Sequence, residues 1–176
     1  FYDRVLSAGI GLRGQEILDI GTGTGVVPRN MARFGAHFTG VDLSENQIAM
    51  AKKLTADAGW DIDYQVCPAE EIDFPAESFD AVTACQCFWY FDHTKVMPNV
   101  LRMLKPGGSL LVLYMSWLPF EDKIAKASEE LVLKYNPTWS GGGETINPID
   151  NPDSSKEDFE LVDHERYTLQ EQDSHE

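Results

Sequence analysis

At 176 residues and 43% hydrophobic content, the chain is long enough for one domain, spanning 1–176, with a single buried core. A formal charge of −15, from 29 acidic and 14 basic residues with no basic cluster, disfavours a nucleic-acid or anionic-membrane partner and leaves a small molecule as the expected substrate. No apolar stretch reaches transmembrane length, no signal peptide is read, and the three cysteines, Cys67, Cys85 and Cys87, are too few and odd in number for a disulfide framework, so a reducing cytoplasm is the expected setting.

The most informative run is Glu16 to Val26, EILDIGTGTGV. Ile17, Leu18 and Ile20 make a short apolar strand, and Gly21, Gly23 and Gly25 follow where a helix should begin, the place where open α/β sheets bind ligands. Glycine there supplies unusual φ/ψ and removes the Cβ that would block close approach. The dinucleotide fingerprint GxGxxG would place its third glycine at position 26, which is Val26, so the spacing argues against it. A tight structural turn or another nucleotide loop is left open by the glycines alone. A second strand, 37 to 42, ends at Asp42, where a carboxylate can accept hydrogen bonds from both ribose hydroxyls of a nucleoside. Ser44 and Gln47 form a capping box ahead of a helix carrying Ile48, Ala51, Leu54 and Ala58, which leaves Asp42 free for a ligand.

Strands are expected next at 62 to 67 and 79 to 84. The following run, CQCFWYFDH at 85 to 93, lies at the C-terminal edge of the sheet, so Cys85 and Gln86 are expected cofactor neighbours, and about half of the four aromatics Phe88 to Phe91 should be core. Pro98 favours a helix beginning near Met97 rather than at Thr94. Val100, Leu101 and Leu104 belong to a helical face that Pro106 and Gly107 stop, and a fifth strand at 109 to 115 contains Leu110 to Leu113, an apolar run covered on both faces. Phe120, Ile124, Ala127, Leu131 and Tyr135 recur at helical spacing. Residues 136 to 155, with Trp139 beside Gly141, Gly142 and Gly143, are too long for a mere connection and are read either as a mobile lid over the substrate or as a disordered surface loop. A sixth strand is expected at 159 to 168, and the polar end QEQDSHE cannot supply a seventh.

Asp19 stands two positions before Gly21, and the acidic-xGxGxG pattern resembles the first motif of the class I S-adenosylmethionine (SAM)-dependent methyltransferases. Residues 64 to 80, YQVCPAEEIDFPAESFD, resemble the adenine-contacting turn of that family, although Pro68 stands where an aspartate is common, and VLRMLKPGGSLLVLY at 100 to 114 resembles its helix, PGG turn and fifth strand. The resemblance covers residues 14 to 115 in the family's order. It implies an α/β fold, a three-layer Rossmann-like sheet of order 3-2-1-4-5-7-6, here with the seventh strand missing from a chain that begins at Phe1 and is expected to be truncated or incompletely ordered at its C-terminus. It also implies SAM as cofactor, S-adenosylhomocysteine as product and a small-molecule methyl acceptor. The glycine loop would cradle the methionine part, and Ala69, through its backbone, and Glu70 or Glu71, through a carboxylate, would meet the adenine. The expected cofactor-binding set is Asp19, Gly21, Gly23, Gly25, Asp42, Leu43, Gln47, Ala69, Glu70, Cys85 and Gln86.

No His, Cys or carboxylate set has a zinc-like spacing, so no metal is expected. His37, His164 and His175 are read as structural, whereas His93 falls near the site. An amine, thiolate or carboxylate acceptor needs only positioning, while a hydroxyl or carbon acid would want a base such as His93, Tyr90 or Glu144, and no catalytic residue is assigned between them. Two other readings share parts of this pattern: a nicotinamide-linked oxidoreductase, and a SAM-binding module without transferase activity.

Overall fold

A computed structural model describes residues 1–115, 117–139 and 159–163. Five short runs of apolar residues form parallel strands, β1 (Glu16–Ile20), β2 (His37–Asp42), β3 (Asp63–Val66), β4 (Phe79–Cys85) and β5 (Leu104–Leu113), in the order β3-β2-β1-β4-β5. The strands alternate with the helices α1 (Tyr2–Ser7), α2 (Val26–Met31), α3 (Glu45–Asp57) and α4 (His93–Met103), with α5 (Lys123–Tyr135) after the last strand. The order matches the 3-2-1-4-5 part of the sheet that the resemblance implies, and it brings every strand's C-terminal end to one edge.

Period-two alternation sorts the side chains between layers. Ile17 pairs in register with Phe38 and Ala81, and these face α1 and α2 together with Val5, Ile10 and Met31. Ile48 and Ala51 of α3 pack on Tyr64 on the same side, since Tyr64 is in register with Gly40 and Gly40 with Asp19. Leu18, Ile20, Val41 and Val82 point the other way, onto Val96, Val100 and Met103 of α4. The central strands are therefore covered on both faces, as parallel sheets require.

Several boundaries differ from expectation, each for a local reason. Helix α4 begins at His93 and carries Pro98 inside it, because Asp92 caps it, its Oδ1 accepting from the Thr94 backbone N–H at 3.2 Å and hydroxyl at 2.6 Å. Pro98 is exposed, so the carbonyl it leaves without an N–H partner lies on the solvent side of the helix. The same helix ends at Met103, before Pro106: Leu104 is already extended and pairs with Phe79, and residues 105–108 bulge out before Ser109 resumes pairing with Ala81. Leu101 is exposed rather than part of the buried face. In α3 the buried stripe is Ile48, Ala51 and Thr55, with Leu54 at its exposed margin.

Leu110 to Leu113 are half-buried, because β5 is an edge strand among the described residues. Helix α5 forms at the expected place with Asp122 as N-cap, but its apolar stripe is open: Ile124, Leu131 and Tyr135 are exposed and Ala125 alone is buried in it. Residues 159–163, the described half of the expected sixth strand, are not in a strand; Phe159 instead packs beside Phe88, Met97 and Val112 on the α4 side. The remainder of that strand and the segment 140–158, including Gly141, Gly142, Gly143 and Glu144, lie outside the described residues. No helix among the described residues is long and apolar enough to cross a membrane.

Candidate functional site

The connection from β1 to α2 turns through three left-handed glycines, Gly21 (φ 65°), Gly23 (φ 56°) and Gly25 (φ 74°), a conformation costly for any residue with a Cβ. Asp19 lies beneath this loop rather than on its surface. It is only 2% exposed, and its Oδ2 accepts from Thr22 Oγ1 at 2.6 Å while Oδ1 accepts from Thr83 Oγ1 at 2.5 Å. Burial pushes its carboxyl up to about 6, against the two threonine hydrogen bonds, which favour the charged form. Asp19 is thus a brace between the loop and β4.

The three glycines are not equivalent. A Cβ on Gly21 would meet Cys87 Sγ at 2.8 Å, and one on Gly25 would run into the Tyr64 phenol. A Cβ on Gly23 would meet nothing within 4 Å. Gly21 and Gly25 are therefore closed in by the protein, and Gly23 presents bare backbone to open space.

Beside Gly23 stands Asp42, at the end of β2. Ser44 Oγ accepts from Gln47 N at 3.4 Å, one half of the expected capping box, but the Ser44 amide that would complete it goes to Asp42, which is therefore not free: Oδ2 accepts from Gly23 N and Oδ1 from Ser44 N, each at 2.9 Å. The chain turns back at Leu43, which aims the Ser44 amide at the preceding carboxylate. Each oxygen still keeps a second lone pair for a ligand hydroxyl. Leu43 is 74% exposed and Val66, at the end of the neighbouring β3, is also exposed, an apolar surface next to a carboxylate. Gln47 is exposed on the first turn of α3.

The turn Ala69–Glu71 follows β3, which is tied to β2 by Cys67 N donating to the Asp42 carbonyl at 2.9 Å. Ala69 is buried, and Glu70 Oε1 accepts from Asp92 N at 2.9 Å, joining this turn to the start of α4. Its carboxylate is already partly used.

The end of β4 departs from expectation. Cys85 continues the alternation and faces the α1 side, where it bears on Tyr2, and burial pushes its thiol up to about 11. Gln86 is exposed and left-handed (φ 62°), and its Nε2 donates to the Met115 carbonyl at 2.7 Å, so it pins the end of β5 rather than facing the loop. That turn redirects the next residue. Cys87 lies against Gly21, donates to the Ile20 carbonyl at 3.1 Å, and has its thiol pushed up to about 12 by burial first and by the neighbouring Asp19 charge. Strand alternation gives no signal for this contact, because it stops at Gln86.

Of the four aromatics, Phe88 is buried and Phe91 half-buried, while Trp89 and Tyr90 are exposed. Trp89 meets Tyr114 edge-to-face at 4.9 Å, which places an aromatic pair across the ends of β4 and β5. The His93 ring stacks on Phe88 at 4.5 Å, and its Nε2 lies 2.7 Å from the Phe88 carbonyl. A carbonyl can only accept, so Nε2 is the donor in this contact, which leaves Nδ1 out of it. Trp139 is half-buried just past α5, its N donating to the Asn136 carbonyl at 3.0 Å. No group of three or more His, Cys, Asp or Glu able to hold a metal occurs among the described residues.

Open backbone at Gly23, paired acceptor oxygens on Asp42 and exposed Leu43 are a donor set that fits a nucleoside: hydroxyls for the carboxylate, a flat apolar base for the leucine, and a chain that can lie along the glycine. A family model described as a methyltransferase domain matches residues 18–112. Ubiquinone biosynthesis O-methyltransferases are similar, that of Hahella chejuensis at 34% identity over 128 residues (72% of this chain, 54% of that protein) and that of Dechloromonas aromatica at 34% over 131 residues (73% and 56%). The chain spans about half the length of these relatives. Among solved structures, the [4+2]-cyclase SpnF is similar at 32% identity and a TM-score of 0.59, over 62% of this chain and 42% of SpnF. A phosphoethanolamine N-methyltransferase 2 of Haemonchus contortus, in complex with phosphomonomethylethanolamine and S-adenosylhomocysteine, is similar at 32% identity and a TM-score of 0.57, over 71% and 35%.

Proposed function

The chain belongs to the class I SAM-dependent methyltransferase family, and from that premise we propose that it binds SAM at the Gly23–Asp42 edge and methylates a small-molecule acceptor. The observation that carries this reading is the open backbone at Gly23 beside a carboxylate whose spare lone pairs suit two ribose hydroxyls. When bound, SAM supplies a methyl group on a positively charged sulfonium, which a nucleophile displaces in line. Asp42 would hold the ribose, Leu43 would cover the base, and the backbone around Gly23 would carry the methionine part, with Asp19 keeping the loop in place from below. Ala69 would contribute through its backbone. Gly21, Gly25, Gln47, Glu70, Cys85 and Gln86 would act through the framework, holding turns and strand ends where the contacting groups need them.

The acceptor side is the aromatic pair Trp89–Tyr114 with exposed Tyr90, a wall suited to a flat apolar molecule. Similarity to proteins named as O-methyltransferases supports an oxygen nucleophile. A hydroxyl loses its proton on the way, and of the candidate bases His93, Tyr90 and Glu144 the first two lie among the described residues. The nicotinamide reading is not favoured, because Val26 occupies the third-glycine position and opens α2. Three free thiols support a reducing, cytoplasmic setting. The test is methyl transfer from SAM to a panel of phenols, amines and thiols, read by mass spectrometry; methylation within the phenol set supports the reading, and a protein that binds SAM but methylates nothing in a broad panel supports the transferase-free module instead.

A further inference from the structure

The loop that carries Gly23 is held from a strand two places away. Tyr64 belongs to β3, yet its ring crosses β2 at Gly40, where an added Cβ would meet Tyr64 Cδ1 and Cε1 at 2.8 Å, and its phenol end reaches Gly25 of the loop. A side chain at either glycine would push the ring away. The phenol is not merely packed there: its oxygen lies 3.1 Å from Thr55 Oγ1 of α3, and the positive charge of Arg29 on α2 acts on it electrostatically. Arg29 in turn donates from Nη1 to the Thr24 carbonyl, inside the same loop. Tyr64 is buried, whereas Arg29 is half-exposed. The Tyr64–Thr55 bond to α3 and the Arg29–Thr24 bond to α2 thus converge on the loop from two helices, at Gly25 and at the residue before it.

The geometry points to Tyr64 and Arg29 as positioning residues for the cofactor loop, setting the left-handed turn at Gly25 and thereby the placement of the Gly23 backbone against Asp42. The inference rests on the SAM reading for its consequence but not for its structural content. Neither residue stands among those that would touch the nucleoside. The aromatic ring supplies the wall against which the turn closes, and the Arg29 bridge stops the Thr24 peptide from rotating away from it.

The test uses Tyr64→Phe, which keeps the ring and removes the hydroxyl bond to Thr55, and Arg29→Met, which removes the bond to the Thr24 carbonyl at a half-exposed position. Two readouts are taken on each: S-adenosylhomocysteine affinity by calorimetry, and amide hydrogen exchange of the ligand-free protein. In both variants, S-adenosylhomocysteine should bind about tenfold more weakly, and the amides of Gly23 and Gly25 should exchange about tenfold faster while those of Ile48, Ala51 and Val100 hold their wild-type rates. Uniformly faster exchange would make Tyr64 a core residue only and overturn the assignment, as would wild-type affinity with unchanged loop exchange. If the wild-type protein fails to bind S-adenosylhomocysteine, the functional reading falls, and the loop-selective exchange still decides whether the bracing exists.

Discussion

The Gly23 amide donates to Asp42 Oδ2 at 2.9 Å, so the residue read as a ribose acceptor is also the strut that holds the glycine loop against the next strand. Its other oxygen does the same for Ser44. Removing the carboxylate therefore has two effects. Asp42→Ala should weaken S-adenosylhomocysteine binding at least about tenfold and also lower ligand-free stability by about 1–3 kcal/mol, since two backbone donors lose a charged partner. Asp42→Asn retains one acceptor oxygen and should fall between the two. Calorimetry and thermal melts on the same samples separate the effects, and a mutant that loses neither would show that Asp42 is an ordinary surface carboxylate.

Gly23→Ala and Gly25→Ala should part company. Both place a Cβ on left-handed backbone, a cost of about 1 kcal/mol. At Gly23 the new methyl meets no protein atom, so the melting temperature should fall only slightly while S-adenosylhomocysteine binding collapses. At Gly25 it strikes the Tyr64 phenol, so ligand-free stability should fall further. Equal melting temperatures with equal binding losses would mean that the open face at Gly23 is not where the ligand lies.

Asp19 ties stability to pH. Its folded-state value, about 6, is above the ordinary carboxylate range, so the folded chain binds a proton more tightly than the unfolded one. This contribution is full below about pH 4 and is lost as pH rises through about 6, an effect of order 3 kcal/mol. Asp19→Asn keeps the shape and removes the titration. Its melting temperature should equal or exceed that of the wild type at pH 7.5, and the wild-type decline between about pH 4 and 6 should flatten. A strongly destabilised Asp19→Asn at pH 7.5 would show that the charged form is what the threonines hold.

How much of this could be read in advance follows the range of the interactions involved. Strands β1 and β2, the glycine turn and the Ser44 cap at Gln47 depend on residues within a few positions of each other, and local pattern suffices. The order of β1 to β5 came through resemblance, since apolar runs alone do not say which strand neighbours which. What could not be read depended on one backbone angle or on a distant partner. Gln86 adopts a left-handed conformation that no non-glycine residue announces, and it turns Cys87 rather than Cys85 against Gly21. Pro98 reads as a helix boundary because the hydrogen bond it cannot make is visible in the sequence and its exposure on α4 is not. Tyr64 gave no sign that it reaches Gly25, 39 positions earlier in the chain.

The aromatic wall predicts a division of kinetic effects. Trp89→Ala removes the edge contact with Tyr114 but touches neither Asp42 nor the glycine loop, so S-adenosylhomocysteine affinity should stay within about twofold. With an acceptor found in the phenol panel, its KM should rise about tenfold while kcat changes little, as expected for lost uniform binding. A fall in kcat at unchanged KM would place Trp89 in the chemistry rather than in acceptor binding.

The most direct test of the central claim is calorimetric titration of the unmodified chain with S-adenosylhomocysteine and, separately, with NAD. The account predicts one binding site for S-adenosylhomocysteine, lost on Gly23→Ala, and no measurable heat with NAD at the same concentrations. Binding of NAD with none of S-adenosylhomocysteine would contradict it outright, and would mean that the open glycine and its carboxylate serve a different nucleotide.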